Sequence, residues 1–188
     1  RTADGLGWLL GDAGSGFWIG REVLRAVAAD LDGQGPRTAL TPLLLADIEL
    51  PDIEPVPWRP PTLTALVSWT YARRPVELAA HAPLVLQAAG DPVADAIVAE
   101  ASRLVLSRVE RMMADDGPLV LTGGLLGEGS PIAAALAARW PGRCRRAADG
   151  TAGAALLALR RAGVDAGPSH LARVRGEWPD PATGVHPL

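Results

Sequence analysis

The sequence predicts a helix-rich α/β fold, and three observations carry that expectation. Apolar residues recur close to a 3.6-residue period over 17–29 and again over about 92–114, which marks two amphipathic helices. The run GPLVLTGG at 117–124 is short, apolar and β-leaning, ends in paired glycines, and leads into SPIAAALAARW, a helix with Ser130 as cap and Pro131 at its first position. A second short strand fits RCRRA at 143–147, followed by the alanine-rich helix TAGAALLALRRA at 151–162. Strand, Gly-Gly turn, helix, strand, helix is the order of an α/β nucleotide site, where the ligand sits at the carboxyl end of a strand.

Taken in order, the chain opens on a glycine-rich stretch, GLGWLLGDAGSG, that runs into the first helix despite Gly20. DGQGP at 32–36 stops that helix, and a second follows from about Thr38 to Ile48 with Thr38 or Thr41 as possible caps. PDIEPVPWRPP at 51–61 holds five prolines in eleven residues and reads as an extended loop. Residues 62–72 and 75–89 read as two further helices, the second either kinked or restarted at Pro83, whose ring removes a helix hydrogen bond. Asp91 and Pro92 form the cap and first turn of the longest helix. The segment 163–188, with four prolines, is expected to be a surface tail. The expectation is about seven helices and two or three strands, with no internal repeat.

The totals narrow the function classes. At 188 residues the chain fits one domain or a fragment of a two-domain protein, and its 48% hydrophobic share supports a buried core. No window reaches eighteen apolar residues and no basic-then-apolar leader is visible, so neither a membrane span nor a signal peptide is expected and the cytoplasm is the default. The single cysteine, Cys144, can form neither an internal disulfide nor a thiolate metal cage. All 18 basic residues are arginines, but they are scattered and the net charge is −3, which argues against a nucleic-acid partner. The histidines at 81, 170 and 186 are dispersed, so no metal site is expected.

Two glycine-rich bends carry the functional expectation. Six glycines lie between Gly5 and Gly20, and some of them could take positive φ or admit a ligand against bare backbone; Asp12 could accept hydrogen bonds from two neighbouring hydroxyls of a polyol. The plainer reading is a tight turn in which Asp12 and Ser15 cap the helix that begins near Phe17, and the two readings can hold together. In LTGGLLGEGS the glycines leave room for a planar base or a phosphate, although a βα turn that needs close helix packing has the same look. It is not a Walker loop, since the chain has no lysine, and Gly14-Ser15-Gly16 falls short of a nucleophile elbow. The six tryptophans read as core or loop anchors, Trp18 as core, while Trp8 and Trp18 flank the glycine loop and could wall a pocket.

Together, GWLLGDAGSGFWIGREVLRAV and LTGGLLGEGSPI resemble the BadF/BadG/BcrA/BcrD-type ATPase and N-acetylglucosamine kinase family, a branch of the actin-like sugar kinase superfamily. The resemblance extends in order and spacing through ALTPLLLADIEL, LAAHAPLVLQAAGDPVADAIVAEAS and DGTAGAALLAL. It implies a partial ribonuclease-H-like C-terminal lobe as a single unit over 1–188, a partner N-terminal lobe absent from this sequence, and phosphoryl transfer from ATP with Mg²⁺ to a sugar hydroxyl. Position by position, it places sugar contacts on Gly5, Leu6 and Gly7 and a sugar-binding carboxylate on Asp12. On the nucleotide side it places Ala79, Gly124 and Ser130. Two residues depart from the family pattern: Ala13 stands where a glutamate is usual, and Leu6 where an aromatic is usual, which bears on the preferred sugar.

The resemblance also implies that the family's two phosphate loops and its general-base aspartate lie upstream of this segment. No catalytic residue is therefore expected within the chain, and alone it is expected to be inactive, because phosphoryl transfer depends on positioning and metal-assisted charge stabilisation. The expected function is the C-terminal part of an ATP-dependent sugar kinase acting on N-acetylglucosamine or a related amino sugar. The alternatives are an ATPase activator of a radical dehydratase, which would need a cysteine-held iron–sulfur cluster, and a non-catalytic sugar-sensing module. Relatives suggest a homodimer.

Overall fold

The structure is a computed structural model that describes residues 2–113, 116–147 and 150–174. It begins with a four-residue helix inside the glycine loop, α1 (Gly7–Leu10), followed by α2 (Gly16–Leu31), α3 (Leu40–Asp47) and α4 (Pro61–Tyr71). A 3₁₀ segment at Pro75–His81 leads to α5 (Leu84–Gln87) and the long α6 (Pro92–Met112). Then come β1 (Leu119–Leu121), a 3₁₀ turn at Gly124–Leu126, α7 (Pro131–Arg139), β2 (Cys144–Arg146), α8 (Thr151–Arg161) and α9 (Pro168–Val174).

The helix count exceeds the expected seven for three local reasons. α1 is a single turn inside a loop too glycine-rich to show periodicity. The helix expected over 75–89 restarts after Pro83, leaving a 3₁₀ segment before it and a short α-turn behind it. α9 falls in the expected tail, where Ala166 just before it is buried; the remainder of that segment, 175–188, with Trp178 and His186, lies outside the described residues.

Caps follow the sequence closely. Ser15 Oγ accepts from Trp18 N at 3.2 Å, Asp91 accepts from Val93 N and Ala94 N, and Ser130 Oγ accepts from Ala133 N. Asp12 caps nothing: its φ of 58° places it in the left-handed region, ahead of the turn that Ser15 closes. Thr38 rather than Thr41 supports the start of α3, its Oγ accepting from Leu40 N at 3.2 Å, while the Thr41 hydroxyl donates to Asp30.

Two apolar clusters form the interior. In the larger, Ile19, Val23 and Val27 of α2 pack with Leu40 and Leu44 of α3, Leu66 and Trp69 of α4, and Ile97 and Ala101 of α6. The smaller joins Leu121 of β1 to Ala133 and Leu136 of α7 and to Trp140. Val105 of α6 touches both, so this helix is the spine between them. Trp69 and Trp140 are core residues; Trp18 is half-buried against the larger cluster, and Trp8 and Trp58 are exposed.

The two strands pair in parallel, with Leu119 opposite Cys144 and Leu121 opposite Arg146. Parallel neighbours need a crossover, which α7 supplies. The result is a helix-rich α/β arrangement with a small parallel sheet, and the paired glycines leave from the carboxyl end of β1. Among the described residues no helix is long and apolar enough to cross a membrane.

Candidate functional site

The segments that the sequence singled out on the nucleotide side come together. A cavity of about 350 Å³ is lined by Ala79 of the 3₁₀ segment, by Gly124 and Leu125 after β1, and by Ser130 and Ile132 at the start of α7. That volume falls in the range of small-molecule sites. Its lining is mostly apolar, and Glu128 is the charged residue on it. A second hollow, at the carboxyl ends of the strands, shares Gly124 and adds Thr122, Gly123, Arg146 and Ala147. A flat apolar group in the first space and a charged group in the second would both touch Gly124.

Each residue reaches the cavity for a local reason. Ala79 is half-buried and a methyl is all it presents; an added Cβ on Gly16 would lie 3.7 Å from it. Gly124 has open space where a Cβ would stand, so the packing of the fold does not require its bareness. Ser130 is held twice, its hydroxyl donating to Leu125 O at 2.6 Å while accepting from Ala133 N. Its N–H donates to Gly127 O at 3.3 Å, so Ser130 shapes the rim while its polar atoms already have partners.

The glycine loop meets this cavity at its outgoing end. Gly16, the first residue of α2, and Ile19 one turn later both line it. Gly20 is buried and explains the close approach: a Cβ there would stand 1.9 Å from Leu78 O, so α2 can lie against the 3₁₀ segment that carries Ala79 only because that position is bare. Leu6 lines a separate hollow with Trp8, Trp18, Arg21 and Arg111. Gly5, Gly7 and Asp12 line neither space. Gly5 and Gly7 take φ of 71° and 80°, which glycine adopts without strain. Among the described residues the Asp12 carboxylate has no hydrogen-bond or ion-pair partner, and its main-chain N–H donates to Asp4 Oδ1 at 2.6 Å.

Three residues here escape sequence reasoning. Asp4 and Arg108 form an ion pair at 2.5 Å, and Arg108 also donates to Ala13 O. The partners are ninety-five positions apart in the case of Ala13 and Arg108, and no local pattern signals such a contact. Glu128 lies within LTGGLLGEGS, where no neighbour in sequence distinguishes it. Among the described residues, buried His81 pairs through Nδ1 with Asp47 at 2.7 Å, His170 Nδ1 accepts from Gly167 N, and Cys144 is half-buried on β2. Among the described residues no three His, Cys, Asp or Glu side chains gather as a metal site.

No protein-family model matches the chain. An N-acetyl-D-glucosamine kinase of Dictyostelium discoideum is 34% identical over an alignment of 132 positions that covers 64% of this chain and 38% of that protein. The crystal structure of a Chromobacterium violaceum protein assigned as an N-acetylglucosamine kinase superposes with a TM-score of 0.57 at 28% identity, covering 78% of this chain and 47% of the other. The chain thus spans less than half the length of each. Over the part they share, these likenesses show the resemblance to N-acetylglucosamine kinase-type proteins that the two glycine-rich motifs imply.

Proposed function

We propose that this chain is the C-terminal lobe, of partial ribonuclease-H-like form, of an ATP-dependent sugar kinase that phosphorylates N-acetylglucosamine or a related amino sugar. The observation that carries the reading is the single cavity bordered by Ala79, Gly124 and Ser130, three residues from separate stretches of sequence. The names of the two similar proteins supply the substrate class.

In this reading the adenosine lies in the apolar cavity against Ala79 and Gly124, with Ser130 at the rim, and the phosphates leave past the strand ends. Mg²⁺ arrives with the nucleotide, since it is bound mainly by phosphate oxygens and few protein carboxylates. Gly5, Leu6 and Gly7 border the sugar, and Asp12, whose carboxylate lacks a partner among the described residues, accepts from its hydroxyls. The chain's own contribution is to hold both ligands, exclude water and orient the sugar. Transfer also requires a base and phosphate-binding groups from the length of the similar proteins that this chain does not span, so the chain alone is expected to be inactive.

Gly124→Val tests the carrying observation. Because an added Cβ meets nothing within 4 Å, the variant is expected to fold normally while its side chain fills the adenosine space. ATP affinity, measured by calorimetry on the full-length protein, should fall at least tenfold. Unaltered affinity in a folded variant would remove Gly124 from the nucleotide site.

A further inference from the structure

The Asp4 carboxylate is the knot of the glycine loop. Its Oδ1 accepts from Gly5 N at 2.9 Å and from Asp12 N at 2.6 Å, and its Oδ2 faces the Arg108 guanidinium at 2.5 Å. Gly11 makes room for it: a Cβ there would stand 2.2 Å from Oδ1. Arg108, rooted on α6, uses its other terminal nitrogen on Ala13 O, and Ser15 N donates to Asp12 O at 2.9 Å. Three successive peptide units around Asp12 therefore each have a fixed partner. These contacts help hold Asp4 and Asp12 at positive φ, 68° and 58°, a region that Asp enters more readily than most residues with a Cβ but still at a cost. The side chains of Asp4 and Arg108 are 12% and 27% exposed, so water screens this pair less than the surface pairs elsewhere on the molecule.

We infer that the Asp4–Arg108 pair is a latch that fixes the main chain of Asp12 and so aims its unpartnered carboxylate at the substrate sugar. Asp4 and Arg108 are positioning residues, and the inference rests on the reading of Asp12 as the sugar-side carboxylate. With φ and the flanking peptides set from α6, the Cα–Cβ direction of Asp12 is set as well. A hydroxyl pair is then met by a carboxylate that is already oriented, and binding does not have to order the loop.

The test uses the full-length protein with Arg108→Ala and Arg108→Lys, reading N-acetylglucosamine affinity, ATP affinity and amide hydrogen exchange across residues 11–13. Arg108→Ala should weaken sugar binding at least tenfold, leave ATP affinity within twofold, and speed exchange at Asp12 at least tenfold. Arg108→Lys, which can still reach Asp4, should recover much of the sugar affinity. Wild-type sugar affinity in Arg108→Ala overturns the latch, as does an equal loss of ATP affinity, which would make Arg108 merely structural. If the wild-type protein binds neither N-acetylglucosamine nor glucosamine, the amino-sugar kinase reading fails; unchanged exchange at Asp12 in Arg108→Ala would separately sink the latch.

Discussion

Asp12 is the residue on which the proposed sugar side turns. It holds a left-handed backbone, gives its N–H to Asp4, and keeps its carboxylate unshared among the described residues. Replacing it with alanine should leave the fold intact and reduce sugar-dependent ADP release in the full-length protein to background in a coupled assay; a wild-type rate would remove it from the site. Ser130 predicts the opposite balance. Its hydroxyl caps α7 and ties back to Leu125 O, so Ser130→Ala should cost about 0.5–2 kcal/mol in denaturant melts. The effect on nucleotide affinity should be indirect and small, because the hydroxyl and the N–H of Ser130 already have protein partners.

At the scale of elements, the contact between α2 and the 3₁₀ segment decides where Ala79 stands. Gly20→Ala would gain helix propensity of about 1 kcal/mol in an open helix. Here the added methyl meets Leu78 O, so the net expectation is destabilisation of about 1–3 kcal/mol together with weaker ATP binding as Ala79 moves. A melt showing Gly20→Ala more stable than wild type would contradict the packing. The start of α6 carries a pH dependence. The Ala39 N–H, assisted by Ala94 N–H, the Thr38 hydroxyl and Val93 N–H, holds the Asp91 carboxyl below the usual aspartate value, against a smaller opposing effect of burial. A depressed carboxyl contributes stability above its unfolded value, near 3.9, that is lost as pH falls through its lower folded value. Asp91→Asn should therefore be less stable at pH 7 and lose less stability than wild type between pH 5 and pH 2.

For the whole molecule, α6 links the two regions proposed to hold the ligands. Its middle packs under the glycine loop through Arg108 and against both apolar clusters through Val105. Ligands that bind only the folded state should stabilise it by mass action: ATP at a hundred times its dissociation constant adds about 2.7 kcal/mol. Thermal melts of the full-length protein should rise with ATP and again with N-acetylglucosamine, and no rise with either would count against the proposed ligands.

What could be read before any folding was known is the part written in short-range chemistry. Period, caps, prolines and alanine content located α2, α6, α7 and α8, and the order of β1, paired glycines and α7 has the form of a nucleotide-binding turn, because each signal needs only neighbours within a turn or two. The glycine loop was legible as a place of unusual backbone, and its motif as kinase-like. Only the tertiary structure decided that Ala79, Gly124 and Ser130 share one cavity with Gly16. It alone showed that Gly20 is bare for Leu78 O and that Arg108 ties Asp4 to Ala13. These are contacts between residues far apart in the chain, fixed by which helix faces pack together, and no local pattern of residue types encodes them.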